Sequence, residues 1–200
     1  MNNLYEYEIE LNNNGFTLIA GCDEAGRGPM AGPLVASAVI LPKGLKIEFL
    51  NDSKKVSKKN REKLFDIIIE KAISYSITFI DVEEVDFLNV YKASQKAMID
   101  SLSNLKIKPE IVLTDAMPLN IDIECIPIIH GDALSSNIAA ASILAKVSRD
   151  RYMEEISLIY PEYGFDRHKG YVTKLHLKNL KEFGPCEIHR KSFAPVKKYL

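Results

Sequence analysis

Four acidic side chains stand where carboxylates can hold a divalent cation. Asp23 and Glu24 follow the apolar run FTLIAG, and Asp115 and Asp132 each close a later short apolar run. In an open α/β sheet, sites form beyond the ends of strands, so carboxylates that are distant in sequence can converge there. Convergent carboxylates repel one another unless a cation lies among them, and Mg²⁺ prefers such oxygen ligands. The pattern predicts a metal site, and four carboxylates are enough for two ions.

Each aspartate alone has a simpler interpretation. An aspartate at the end of a strand is often a turn residue or the N-cap of the next helix, and Asp132 before ALSSN fits that description. The three positions together, with an adjacent acid pair among them, favour the metal site over three separate turns.

The glycine-rich segment CDEAGRGPMAGP contains the acid pair. Neighbouring residues on a strand point to opposite faces, so Asp23 and Glu24 can face one site only if the strand breaks between or just after them. Gly26 and Gly28 supply such a break and let the backbone of a ligand approach closely. A tight turn alone does not explain why Arg27 is held between two glycines.

Strands alternate with helices along the chain. FTLIAGCD and LVASAVILP predict an antiparallel pair, SYSITFI a third strand, and PEIVLTDA and IECIPIIHGDA two short ones. Predicted helices begin at Ser57, at Asp81 as one long helix DVEEVDFLNVYKASQKAMIDSL, and at Ser135 or Ser136 up to Pro161. A last one, KGYVTKLHLKNLKEFG, is capped by Gly184. The order predicts an α/β sheet covered on both faces.

The composition predicts one cytoplasmic globular protein with no membrane association. The chain has 200 residues, 46% of them hydrophobic, and no apolar run near the roughly 20 residues that span a bilayer. Its start, MNNLYEYEIE, lacks the basic and apolar regions of a signal peptide. Three widely spaced cysteines without a CxxC pair indicate reduced thiols.

Charge is unevenly distributed in a chain whose net charge is only -1. Residues 53–63 carry five lysines and one arginine against one glutamate, and residues 167–200 carry nine basic side chains against two acidic ones. A single run of this kind is usually just a solvated surface. Two such runs in an otherwise acidic chain indicate a polyanionic partner such as nucleic acid.

The motifs together resemble a known family. DEAGRGPMAGPLVASAVIL, DSKKVS, TDA, GD followed by IAAASILAKVSRD, and HKGYVTKLHLKNLKEFGPCEIHRKSF resemble ribonuclease HII, the bacterial type 2 ribonuclease H, in order from about residue 17 to 196. The resemblance implies a ribonuclease H-like α/β fold, with a central mixed five-stranded sheet flanked by helices and a small C-terminal helical extension. It also implies one domain over 1–200, with a core to about 160 and an extension over 161–200 that contributes to substrate binding.

The resemblance implies an activity and its parts. The enzyme would be a monomeric endonuclease that cuts the RNA strand of RNA-DNA hybrids and cuts 5′ of single ribonucleotides in duplex DNA. Two Mg²⁺ or Mn²⁺ ions would serve catalysis, and the products would carry 3′-hydroxyl and 5′-phosphate ends. The family's four catalytic and metal-binding carboxylates fall on the four acids above. Backbone groups of Gly26, Arg27 and Gly28 would read the 2′-hydroxyl, and the ring of Tyr171 would stack on the sugar of the following deoxynucleotide.

Other polar residues have more ordinary expected roles. The candidates for phosphate contact are Lys54, Lys55, Lys146, Lys169 and Arg190. Asp150 is expected to be a structural ion-pair partner. The spacing of His168, His176 and His189 matches no metal-ligand set, which favours hydrogen bonding or phosphate contact.

Two alternatives remain at this point. Ribonuclease HIII resembles HII in its catalytic core, but it carries an N-terminal substrate-binding domain and lacks the Gly-Arg-Gly motif, whereas only about 16 residues precede the first predicted strand here. A catalytically silent nucleic-acid-binding protein on the same fold is the second alternative. The intact set of carboxylates argues against it.

Overall fold

The structure is a computed structural model that describes residues 4–200. Its strands are β1 (Ile19–Ala25), β2 (Leu34–Ile40), β3 (Ser74–Ile80), β4 (Ile111–Asp115) and β5 (Cys125–Ile128). Its helices are α1 (Glu6–Asn13), α2 (Lys58–Lys71), α3 (Val82–Leu88), α4 (Val90–Ser103), α5 (Ser136–Ile159), α6 (Phe165–His168), α7 (Lys174–Phe183) and α8 (Ala194–Lys197). Single 3₁₀ turns cover Gly131–Ala133 and Pro161–Tyr163.

The five strands form one mixed sheet in the order β3-β2-β1-β4-β5. β1 pairs antiparallel with β2 and β2 with β3, whereas β1 with β4 and β4 with β5 are parallel. The predicted mixed five-stranded sheet and its antiparallel first pair are confirmed. In the parallel register Cys22 lies opposite Thr114, so Asp23 and Asp115 reach the same edge of the sheet.

Helices cover both faces of the sheet, as predicted. On one face, Ala20 and Cys22 of β1 pack with Ala97 and Met98 of α4. On the other, α5 lies against β1 so closely that a side chain at Gly21 would overlap the backbone of Asn137. The alanine-rich first half of α5 therefore lies flat on the strand that carries Asp23.

The prediction of one long helix from Asp81 was wrong. The helix is interrupted at Asn89. The φ of this residue, +69°, lies in the left-handed region that asparagine tolerates better than most residues. The Asn89 side chain then caps α4 by accepting hydrogen bonds from the backbone N–H groups of Tyr91 and Lys92, at 3.0 and 3.2 Å. A capping side chain inside the periodic apolar pattern thus divided the segment into α3 and α4.

Residues 161–200 form short helices joined by loops. The predicted tail helix begins at Lys174 instead of Lys169, because Gly170 has a φ of +83° and Thr173 caps the helix by accepting from the N–H of His176 at 3.1 Å. Its end before Gly184 is as predicted. Within residues 4–200, no helix has both the length and the apolar character needed to cross a membrane.

Candidate active site

Three aspartates from separate elements converge at one edge of the sheet. One carboxylate oxygen each from Asp23, Asp115 and Asp132 lie within 4.8 Å of one another. Asp23 stands on β1, Asp115 ends β4, and Asp132 lies in the 3₁₀ turn after β5. Asp115 Oδ1 also accepts a hydrogen bond from the N–H of Gly131 at 2.8 Å, which ties the turn to β4. Such an oxygen-rich set fits Mg²⁺ or Mn²⁺.

Glu24 lies beside this cluster but is not one of its three members. The strand stays regular through both acids and ends at Ala25, which pairs with Val35, so the expected break falls after the pair. Glu24 Oε1 lies 3.4 Å from Arg27 Nη1. Its Oε2 is buried, and within the part of the chain that the structure describes it has no hydrogen-bond partner. That oxygen therefore has no protein donor and is available as a further ligand for a cation.

The acids oppose one another's ionisation. Burial raises the pKa of Asp23 well above its ordinary value, and repulsion from Glu24 and Asp115 adds to the effect. Burial and the charge of Asp115 likewise raise the pKa of Asp132. The pKa of Glu24 is also raised, chiefly by burial, although Arg27 opposes the shift. A bound cation would relieve this repulsion, so the charges of the site fit a metal as well as its oxygen donors do.

Lys54 provides positive charge at the cluster. Its Nζ lies 3.4 Å from Asp132 Oδ2. Burial lowers the pKa of Lys54, but attraction to Asp132 and Asp52 outweighs this and leaves the pKa raised. Sequence reasoning overlooked Asp52, which faces Asp132 and accepts a hydrogen bond from the backbone N–H of Lys54 at 2.9 Å. The available signal was an acidic residue directly before the basic run in NDSKK.

A cleft of about 420 Å³ opens beside the acids. The predicted site residues that line it are Asp23, Glu24, Gly26, Arg27, Gly28, Lys54, Asp115, Lys146 and Tyr171. Ser53 and Ser142 also line the cleft, with a hydrogen bond of 2.7 Å between their Oγ atoms. Sequence reasoning did not identify these serines, since nothing in their spacing predicts that α5 meets the segment before α2.

Tyr171 forms one wall of the cleft and stands opposite residues 26–33, which we call the glycine loop. Its side chain is partly exposed, and Lys146 Nζ and Arg149 Cζ each lie 5.9 Å from the centroid of its ring. A methyl group placed on Gly28 would lie 3.6 Å from Tyr171 Cε1. The exposed ring and the bare backbone of Gly28 therefore face the same space.

The two glycines around Arg27 differ in what they require. Gly26 has a φ of +103°, and a side chain there would run into the Arg149 side chain and the carbonyl of Pro33. Gly28 meets only the ordinary contact with Tyr171. The fold itself demands glycine at position 26, whereas at position 28 glycine leaves the backbone open to a ligand.

Arg190 has a different environment from the one expected. Its side chain is fully buried and donates to the carbonyl of Gly32 at 3.0 and 2.8 Å and to that of Arg27 at 3.3 Å. This placement does not fit a phosphate contact. Arg149, which sequence reasoning did not single out, is buried nearby and donates to the carbonyls of Pro33, Ala31 and Lys169. The two buried guanidinium groups thus hold the glycine loop in place by donating hydrogen bonds to its backbone carbonyls.

Two other expected phosphate contacts lie outside the lining of the cleft. Lys55 is exposed, and its Nζ lies 3.9 Å from Asp52. Lys169 Nζ is mostly covered and lies 2.6 Å from Glu154 Oε1. Asp150 is an ion-pair partner, as expected, because its Oδ1 accepts from Lys146 Nζ at 2.7 Å.

Comparison with known families decides what kind of site this is. The family model described as "Ribonuclease HII" matches residues 20–196. The chain belongs to the ribonuclease HII family. The ribonuclease HII of Ruminiclostridium cellulolyticum is 53% identical over 192 residues, which cover 96% of this chain and 75% of that protein. As a member of this family, the chain is a metal-dependent ribonuclease H that hydrolyses the RNA strand of RNA-DNA hybrids.

Solved structures show the same ribonuclease H-like fold. The ribonuclease H2 of Pyrococcus horikoshii superposes with a TM-score of 0.77 at 28% identity, over 90% of this chain and 96% of that one. Bst-RNase HIII in complex with Mn²⁺ superposes with a TM-score of 0.64 at 18% identity, over 92% and 70%, a likeness of fold alone. The family match thus supports ribonuclease HII over the HIII alternative.

Proposed function

We propose that this ribonuclease HII also cuts duplex DNA on the 5′ side of a single embedded ribonucleotide and leaves 3′-hydroxyl and 5′-phosphate ends. One observation carries the proposal: Asp23 and Asp115 of the three-aspartate cluster, the open backbone of Gly28 and the exposed ring of Tyr171 border one cleft. A scissile phosphate at the aspartates would therefore be flanked by groups able to examine the sugar on either side of it.

The carboxylates would hold two Mg²⁺ or Mn²⁺ ions. Asp23, Asp115 and Asp132 supply converging oxygens, and Glu24 offers a buried oxygen without a partner among residues 4–200. When bound, such ions offset phosphate charge and make a water nucleophilic near neutral pH. Until ions bind, the pKa of Asp23 stays raised by burial and by its acidic neighbours, so this carboxyl holds its proton more readily than an ordinary aspartate.

The glycine loop and Tyr171 would recognise the RNA-to-DNA junction. Only the 2′-hydroxyl distinguishes a ribonucleotide from its deoxy counterpart at a given site. Backbone N–H and C=O groups of Gly26, Arg27 and Gly28 are suited to read it, because no side chain at Gly28 stands in front of the backbone. The ring of Tyr171 would stack on the next sugar, where a 2′-hydroxyl would crowd it.

Basic side chains around the cleft would bind the nucleic-acid backbone. Lys54, Lys146 and Arg27 line the cleft, and Lys55 is exposed beside it. Lys169 and Arg190 are outside this set, because they do not line the cleft and their donor groups are buried against Glu154 and backbone carbonyls. Contacts with phosphates weaken steeply as salt concentration rises.

We further propose that the protein acts on nucleic acid as a cytoplasmic monomer. Residues 161–200 would contribute to substrate binding through Tyr171.

The test uses a DNA duplex with one ribonucleotide, incubated in Mg²⁺, in Mn²⁺ and in EDTA, with both product ends mapped. A metal-dependent cut 5′ of the ribonucleotide with 3′-hydroxyl and 5′-phosphate ends supports the proposal. A long RNA-DNA hybrid is the control substrate. Cleavage of the hybrid without cleavage of the mixed duplex would refute the junction-reading roles, because it would show an active metal site that does not recognise a single ribonucleotide.

A further inference from the structure

A chain of hydrogen bonds runs beneath Tyr171 through two buried histidines. His176 and His189 are 0% and 1% exposed. His176 Nδ1 lies 2.9 Å from the carbonyl oxygen of Tyr171, and its Nε2 lies 3.1 Å from His189 Nε2. At the far end, His189 Nδ1 lies 3.0 Å from the backbone N of Cys186 and 3.1 Å from its Sγ.

The direction of every bond in this chain follows from one fixed donor. The backbone N–H of Cys186 can only donate, so His189 Nδ1 accepts and His189 carries its proton on Nε2. That proton is donated to His176 Nε2, so His176 carries its own proton on Nδ1. His176 therefore donates to the carbonyl of Tyr171. Burial supports neutral rings, since it lowers the pKa of His176 to about 3 and that of His189 to about 4.

The neighbouring backbone is held by other contacts, so this bond has a distinct role. Arg149 donates to the carbonyl of Lys169 at 2.9 Å, and the N–H of Met30 donates to the carbonyl of Gly170 at 3.0 Å. The next carbonyl along the chain, that of Tyr171, accepts from His176. The chain then continues into Val172, which is exposed, before α7 begins. His176 is thus the last buried anchor of the segment that carries the Tyr171 ring.

We propose that His176 is a positioning residue that sets the placement of the Tyr171 ring opposite Gly28, with His189 and Cys186 fixing its tautomer. The hydrogen bond from His176 to the carbonyl of Tyr171 would increase the enzyme's preference for a single embedded ribonucleotide over a long hybrid. The inference rests on the proposed function, in which Tyr171 examines the junction. A shift of about 1 Å in a positioned group can cost up to roughly a hundredfold in rate, so a loss of several-fold in this preference is expected when the anchor is removed.

The test compares the ratio of kcat/KM on the single-ribonucleotide duplex to kcat/KM on a long hybrid. His176→Leu removes the donor but keeps an apolar side chain of related size, whereas His176→Asn keeps an N–H near the position of Nδ1. We expect the ratio to fall about fivefold or more for His176→Leu and to recover in large part for His176→Asn. The matched control is Asn179→Leu, one helical turn on, which removes a buried bond to the carbonyl of Tyr163 without touching Tyr171.

Two further variants separate failure of this inference from failure of the proposed function. If Tyr171→Ala leaves the ratio unchanged, the junction role of Tyr171 is wrong. If Tyr171→Ala lowers the ratio but His176→Leu changes it no more than Asn179→Leu does, the positioning role alone is overturned. The inference also requires that His176→Leu adds no further loss of ratio in a Tyr171→Ala background, and an additive loss contradicts it.

Discussion

Gly28 and Tyr171 face each other so closely that a methyl group on Gly28 would lie 3.6 Å from the tyrosine ring, at ordinary contact distance. The protein itself therefore tolerates a small side chain at this position, whereas a ligand whose backbone rests against Gly28 would collide with it. Glycine at position 28 would therefore be required for substrate binding and not for folding. At position 26, by contrast, the fold itself requires glycine.

Gly28→Ala is expected to leave the melting temperature unchanged and to weaken cleavage at a single ribonucleotide. The matched variant is Gly26→Ala, which strains a backbone at φ +103° and runs into Arg149. Strain of this kind costs about 1–3 kcal/mol, or several degrees in a protein of this size. Thermal melts and single-turnover cleavage measure both effects. An equal loss of stability in the two variants would contradict the distinction.

Asp115→Asn is expected to abolish metal-dependent cleavage while the fold stays intact. The substitution keeps the size of the side chain and an oxygen that can accept from the N–H of Gly131, but it removes a charged ligand of the cluster. Cleavage in Mg²⁺ and Mn²⁺ and the far-ultraviolet circular dichroism spectrum check the two halves of the prediction. Normal turnover by this variant would refute the metal-site assignment.

Asp23→Asn is expected to raise the melting temperature in EDTA at pH 7.5. The pKa of Asp23 is raised in the folded protein, so its contribution to stability is present at low pH and lost as the pH rises through the folded pKa. Removing the charge removes that penalty. Asp66→Asn, at an exposed position on α2, is the control and should have little effect. Wild-type protein should in turn be stabilised by added Mn²⁺, and Asp23→Asn much less so.

Tyr171→Ala is expected to reduce cleavage at a single ribonucleotide more than cleavage of a long hybrid. Tyr171→Phe should retain most of the difference, because the proposed contact uses the face of the ring. The ratio of kcat/KM on the two substrates is the measurement. Equal losses on both substrates would leave the ring without a junction role.

Arg27→Ala is expected to weaken cleavage and to spare stability. The Arg27 side chain is 46% exposed, and its only ion pair among the described residues is with Glu24 at 3.4 Å. Arg190→Ala should instead lower the melting temperature clearly, because it leaves the carbonyls of Gly32 and Arg27 without their donor. A large drop in melting temperature for Arg27→Ala would favour a purely structural turn.

The contribution of two buried histidines to stability is expected to fall as the medium becomes acidic, opposite in sign to the contribution of Asp23. The pKa values of His176 and His189 are depressed to about 3 and about 4, so both rings stay neutral in the fold while they charge in the unfolded chain. Their contribution is complete above about pH 6.5 and is lost as pH falls toward 4, with a slope of up to roughly 1.4 kcal/mol per pH unit for each ring. Urea denaturation from pH 7 to 4.5 measures the slope. It should be shallower for His176→Asn and unchanged for His130→Asn, an exposed site.

The sequence allowed the sheet and the meeting of the acids to be predicted, because strand ends and glycine turns are local signals. Asp115 and Asp132 were found from their positions after apolar runs, and the parallel pairing of β1 and β4 then brings Asp115 level with Asp23. The roles of Arg149 and Arg190 were not predictable in this way. Whether an arginine meets solvent or a buried carbonyl depends on the packing of distant segments, and no local pattern records it. The break at Asn89 was missed for a different reason, since its apolar flanks continue the helical period.

The two buried guanidinium groups under the glycine loop bear on how substrate selection takes place. Arg149 and Arg190 together occupy the carbonyls of Arg27, Ala31, Gly32 and Pro33 before any nucleic acid arrives. A loop that is already ordered loses little conformational entropy on association. Substrates are therefore discriminated by how well they fit a rigid loop, and not by a loop that closes around the correct ligand. Association should accordingly occur in one kinetic phase, with no slow rearrangement after encounter.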